Sequence, residues 1–121
     1  MSIGRAMNTK TATIANGAAV SDVINTQGFT YMLIITPAEW TDANIGFKVS
    51  ADNSTFVTLY DEEGAPVQVG GIATAAAGAY VAPAEVAGAR FVKLWSKSST
   101  AATETDTNQG AARSIVVELT A

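Results

Sequence analysis

Apolar side chains recur at every second position along several stretches of this chain, and that period assigns strands. Ile45, Phe47 and Val49 alternate with Gly46, Lys48 and Ser50, so one face of a strand is buried while the other stays wet. Ala51-Asp52-Asn53-Ser54 supplies residues that tolerate left-handed dihedrals and bond their own backbone. It reverses the chain into a second strand through Val57, Leu59 and Tyr60. The stretch from Trp40 to Asp61 is therefore predicted as a β-hairpin, and the remaining pattern is organised around it.

Met1 to Asn8 shows no periodicity and is predicted as an arm that could dock onto a neighbour, with Thr9 to Ile14 as the first strand. Asn16-Gly17 is a strong turn dipeptide, after which Val20, Val23 and Ile24 lead through Gly28 into Phe29 to Thr36. The β-branched and aromatic content of that strand favours a central place in a sheet, and its unbroken run Tyr31-Met32-Leu33-Ile34-Ile35 reads as buried on both faces. Pro37 ends it, since a residue without an amide proton is excluded from a central ladder. Pro37 to Thr41 then crosses from one sheet toward the other. Asp61-Glu62-Glu63-Gly64 is a further turn. From Ala65 to Gly88 the chain is dominated by Ala, Gly and Val. Gly70, Gly71 and Gly78 interrupt any helix at roughly 1 kcal/mol each, which leaves short strands and loops around Val67, Val69, Ile72 and Tyr80-Val81. Pro83 to Val86 can form a single helical turn with Pro at a permitted position. Arg90 to Ser96 is a strand with Val92 and Leu94 facing inward and Phe91, Lys93 and Trp95 on the other face. Ser98 to Gly110 is polar and predicted as a long loop or a mobile hairpin tip. Arg113 to Leu119 is the last strand, with Ile115, Val117 and Leu119 on the core side.

About seven to nine short strands separated by turns predict an all-β, antiparallel two-sheet sandwich. The long crossings favour a jelly-roll-like course over a simple meander. Residues 1–8 form the arm and residues 9–121 a single domain, without internal repeats.

Composition changes this picture in one respect. The chain is 48% hydrophobic but only 15% charged, against roughly one quarter charged in ordinary soluble domains. A surface so poor in charge is tolerated where much of it is buried against other subunits. The net charge is −4, and the seven Lys and Arg are scattered, which argues against direct nucleic-acid binding, since phosphate contacts need a basic stripe. Absence of Cys and His removes disulfides, thiolate nucleophiles, imidazole bases and almost every structural zinc arrangement. The longest apolar run is far short of the roughly 20 residues that span a bilayer, and the first residues lack the apolar core of an export signal. Neither membrane nor cofactor is expected.

Candidate chemistry is sparse. Asp61-Glu62-Glu63 offers the hard oxygens calcium requires, but consecutive carboxylates without a second loop do not complete a coordination shell, and a solvated turn is preferred. Asp52 and Asn53 read the same way. A glycosidase needs two carboxylates opposed across a cleft; Glu39, Glu85, Glu104 and Glu118 lie in no setting that the sequence shows to be concave. No Ser is followed by Lys at a recognisable helical spacing that would activate it. The chain is read as non-enzymatic. Trp40, Tyr60, Tyr80 and Trp95 could stack on sugars, since an aromatic ring presents an apolar face and a polar edge. Packing at the sandwich ends or at a subunit interface is the preferred reading. Gly70-Gly71 and Asn16-Gly17 are turn glycines, because neither lies in a strand-to-helix phosphate loop.

The segments Ile14-Ala15-Asn16-Gly17-Ala18, Pro37-Ala38-Glu39-Trp40-Thr41, Ser50-Ala51-Asp52-Asn53-Ser54-Thr55-Phe56, Leu59-Tyr60-Asp61, Ala89-Arg90-Phe91-Val92-Lys93-Leu94-Trp95-Ser96 and Asn108-Gln109-Gly110-Ala111-Ala112-Arg113, taken in order, resemble small virion proteins encoded among the head and tail genes of tailed bacteriophages. The Ala-Arg-Phe-Val-Lys-Leu piece is also similar to the late strand of discoidin-type and other carbohydrate-binding sandwiches. The first resemblance implies a decoration or cement protein, made in the host cytoplasm and bound to the outer capsid surface of the virion. Its partners would be the major capsid protein and itself, a trimer among the options. The expected contact surfaces are the arm around Ile3, Arg5 and Met7, the loop from Gly70 and Gly71 to Tyr80, and the loop carrying Thr103 and Gln109. The alternatives are a glycan-binding module using Trp40, Tyr60 or Trp95, and a minor connective subunit of head or tail.

Overall fold

The computed structural model describes residues 7–98 and 104–121, and every statement below concerns those residues. Nine strands form two antiparallel sheets: β1 (Met7–Ile14), β2 (Ile24–Asn25), β3 (Tyr31–Ile35), β4 (Asn44–Ser50), β5 (Val57–Thr58), β6 (Gln68–Val69), β7 (Ala79–Val81), β8 (Phe91–Lys97) and β9 (Arg113–Thr120). The first sheet has the order β1-β9-β3-β7. The second has β2-β8-β4-β5, with β6 also on β4. Setting the small β6 aside, the chain alternates between layers on the way out and again on the way back, so that β1 meets β9 and β2 meets β8. This is the jelly-roll course of two interlocked Greek keys.

The period-two readings survive in detail. Ile115, Val117 and Leu119 of β9 face Ile14, Met32 and Ile34 from their own sheet's inner surface, and Phe47, Ile45, Val92 and Leu94 from the opposite sheet complete the core. Trp40, Val67, Ile72, Ala82 and Val86 close its ends. Gly17 sits at φ +77 in the predicted turn, a conformation that costs a residue with a Cβ more than it costs glycine. Asn53 takes φ +60 at the hairpin tip, as a short polar side chain can. Pro83 precedes a short 3-10 helix over Ala84–Gly88.

Four expectations need correction. The return strand of the hairpin is shorter than predicted, since β5 holds only Val57 and Thr58 and leaves Leu59 and Tyr60 beyond it. The first strand begins at Met7, not Thr9, because Met7 and Asn8 pair with Thr120 and Leu119 on β9. The outer face of β4 is not wet throughout. Gly46 lies opposite Trp95, and a Cβ there would come within 2.7 Å of Lys97 Cδ and 3.0 Å of Trp95 Cε3, so the missing side chain is what lets those two cover the strand. Finally, β3 is buried on one face only. Met32 and Ile34 are buried, while Tyr31, Leu33 and Ile35 line the outside of the first sheet.

Candidate interaction surface

The two sheets treat their outer faces differently. On the second sheet, long side chains fold over the aromatic rings: Lys48 Nζ sits 4.0 Å from the Trp95 ring centroid and Lys93 Nζ 4.4 Å from that of Phe56. Lys97, itself buried, is held by Gln68 Oε1 and Glu104 Oε2. The apolar surface there is satisfied by the chain's own cations, whose stems pack while their charges reach water or a carboxylate.

On the first sheet, among the described residues, no Lys or Arg is placed over Leu33, Ile35, Val81 or Val116. Its register sets Thr9, Glu118, Leu33 and Val81 in one row across four strands, and Thr11, Val116, Ile35 and Ala79 in the next. Met7, Thr120 and Tyr31 make a third. Val81 is 76% exposed, Met7 63% and Tyr31 58%. Leu33, Ile35 and Val116 are half-buried between them. Glu118 is the one charged residue in these rows. A contiguous apolar strip on a sheet face, rimmed by threonines, is the kind of surface that marks an interaction site. Around the edge formed by Tyr31 and Val81, the strip opens into a largely apolar cavity of about 190 Å³, walled by Phe29, Met32, Pro83 and Leu119.

The sequence-predicted contact residues scatter. Ile3, Arg5 and Thr103 lie outside the described residues. Met7 lies on the outer face of the first sheet, separated from Tyr31 by Thr120. Gly70 and Gly71 are exposed in the turn after β6. Tyr80 is half-buried, and its hydroxyl accepts the Ala73 amide at 2.8 Å, so it pins the loop that was expected to make contacts. Gln109 is not a surface residue at all. It is fully buried, with Nε2 donating to Ser96 Oγ at 2.8 Å and to Thr41 O at 3.2 Å. Its Oε1 accepts from the Thr41 amide at 2.9 Å and from Arg113 Nε at 3.0 Å.

The aromatic platform also dissolves. Trp40 and Trp95 are 3% and 2% exposed, with their indole N–H groups donated to Ala43 O at 3.1 Å and Asp106 Oδ1 at 2.7 Å. Buried rings cannot stack on a sugar, and only Tyr60 of the three is exposed. Among the acidic turns, Asp61 Oδ1 accepts the Glu63 and Ala65 amides, each at 2.9 Å, which closes the turn. No group of three or more metal-ligating side chains is gathered among the described residues. Asp52 lines a wide trough that also contains Glu85 and Arg90, but its carboxylate is committed to the hairpin tip. It accepts the Thr55 amide at 3.0 Å, the Ser54 amide at 2.9 Å and the Ser50 hydroxyl at 2.8 Å. Those donors pull its pKa down to about 2.

Sequence reasoning missed Leu33, Ile35, Val81 and Val116. Their signal was present as apolar residues at positions out of phase with the core, but an apolar run is read as doubly buried by default. The chain matches no protein-family model, no curated protein and no solved structure. No helix among the described residues is long and apolar enough to cross a membrane.

Proposed function

We propose that this protein is a non-enzymatic structural subunit of a tailed-bacteriophage virion, which decorates and stabilises the outer surface of the capsid. It holds the major capsid protein and copies of itself. The observation that carries this reading is the row of apolar side chains Leu33, Ile35, Val116 and Val81 on the outer face of the first sheet, with Val81 76% exposed at its end. A rigid jelly roll that leaves one flat apolar face open is suited to adhesion on another protein surface, where many modest contacts repeated over a lattice add to a firm attachment. The low charge content and the resemblance to small phage head and tail proteins support the same reading. Burial of Trp40 and Trp95 leaves glycan recognition with Tyr60 alone of its three candidate rings.

The test is reconstitution on particles made without the protein. The wild-type chain co-sediments with them at a lattice-scale copy number, and the Val81→Lys/Leu33→Thr variant, folded by circular dichroism, does not. Equal occupancy by the variant overturns the reading, as does a purified virion that carries only a connector's handful of copies.

A further inference from the structure

The edges of the two sheets are unequal. β2, β5 and β6 in the second sheet have two residues each and β7 in the first has three, whereas β1 is an edge strand of eight. Native proteins keep edge strands short, or interrupt them with Pro or a bulge, because an open row of amides and carbonyls is a template for another strand. β1 is long and has no Pro, and the one charged residue on it, Lys10, lies on the side of Ala12 and Ile14, which leaves the outward rungs at Thr9 and Thr11 without a charge.

One rung of that edge is closed. The Thr13 amide donates to Asp22 Oδ1 at 2.9 Å and the Asp22 amide donates to Thr13 O at 3.2 Å, so Thr13 turns both backbone groups away from β9. By the two-residue period of a strand, Thr11, Thr9 and Met7 turn theirs the same way. Among the described residues nothing bonds the outward amides and carbonyls of Thr9 and Thr11.

We propose that β1 is the self-association edge of this protein, pairing antiparallel with β1 of a second copy about a two-fold axis through Thr9. Of the axes through Thr9, Lys10 and Thr11, the last two are disfavoured. Centring the axis on Thr11 would set Thr9 against the partner's Thr13, whose groups already belong to Asp22. Centring it on Lys10 would bring two like charges directly opposite, which is destabilising. Centring it on Thr9 places Met7 against the partner's Thr11 and Asn8 against the partner's Lys10. Asn8 Nδ2 already donates to Gln27 Oε1 at 3.2 Å, which leaves its Oδ1 to accept from that lysine. Three facing pairs then exchange about six backbone hydrogen bonds. The result is an eight-stranded sheet that sets both apolar strips on one side. This gives the self-contact of the capsid reading a surface and a register, but it stands on the edge alone. Solution dimerisation and particle binding are measured separately.

The chain has no cysteine, so T9C carries a single thiol, and in this register it faces its own counterpart. A hydrogen-bonded antiparallel pair has Cα atoms about 5.5 Å apart, within the range a disulfide spans. Under mild oxidation T9C is expected to form a covalent dimer rapidly and T13C slowly. In sedimentation velocity, Thr11→Pro removes an outward amide that the monomer does not use. It is expected to weaken dimerisation at least about tenfold with the fold intact, since Pro is tolerated on an open edge. Asn8→Asp is expected to tighten the dimer and Asn8→Lys to loosen it. A wild-type chain that stays monomeric at high concentration overturns the proposal. So does T13C cross-linking as fast as T9C, or a Thr11→Pro variant that dimerises as the wild type does.

Discussion

Asp52 shows how a single side chain can fix a turn. Its carboxylate accepts two backbone amides and one hydroxyl at the hairpin tip, and these donors hold its pKa at about 2, below the ordinary 3.8. A group whose folded pKa is depressed stabilises the fold fully above its unfolded pKa and loses that contribution as pH falls through the folded value. The window therefore runs from about pH 4 down to about pH 2. The expected outcome is that the urea midpoint of the wild type drops more steeply across this window than that of Asp52→Asn, which keeps an acceptor but does not titrate. Parallel pH profiles would show that the turn does not draw on the charge. Asp52 and Asn53 were readable as turn residues from their chemistry alone, because every donor that Asp52 meets is within three positions.

At the scale of elements, β4 and β8 depend on the absence of a side chain. Gly46 faces Trp95 across the ladder, and the indole ring lies over the space a Cβ would fill. Alanine usually stabilises a strand relative to glycine, but here it would meet Lys97 and Trp95 at 2.7 Å and 3.0 Å. Neither can retreat easily, as Lys97 is tied to Gln68 and Glu104 and Trp95 to Asp106. Gly46→Ala is expected to destabilise by about 1–3 kcal/mol, the usual cost of overpacking, read from chemical denaturation. An unchanged or raised midpoint would mean that the ring shifts freely. This close approach could not be seen along the chain, where Gly46 simply occupies a polar slot in an alternating pattern.

At the scale of the molecule, Gln109 gathers pieces of both layers. Its side chain bonds Ser96 on β8, Arg113 on β9 and Thr41 on the crossing between layers. Its backbone bonds Ala18 and Gly17 in the first turn. Removal of a buried hydrogen-bonding group leaves its partners unsatisfied, at about 1–3 kcal/mol each. Gln109→Ala is expected to cost about 3 kcal/mol and to lower cooperativity across the whole sandwich, measured by equilibrium unfolding with fluorescence and circular dichroism. A loss below about 1 kcal/mol would show that water replaces the amide. From the sequence, Gln109 is one more polar residue in a polar loop. Its role rests on a partner 68 positions away, a relation that local pattern does not encode.

The sequence by itself determined the strands, the turns and the inward set of apolar residues, because these follow from alternation and from the dihedral freedom of single residues. The all-β class, the Asn16-Gly17 turn and the alignment of Ile115, Val117 and Leu119 needed nothing more. Only the tertiary structure decided which strands became neighbours, and therefore which edge and which face were left open. Tyr31 to Ile35 reads as apolar whether a further layer covers its second side or water does. The sandwich has two layers, so among the described residues no third layer lies over Leu33, Ile35 and Val116 on the outer side of the first sheet, and β1 ends as its long edge strand.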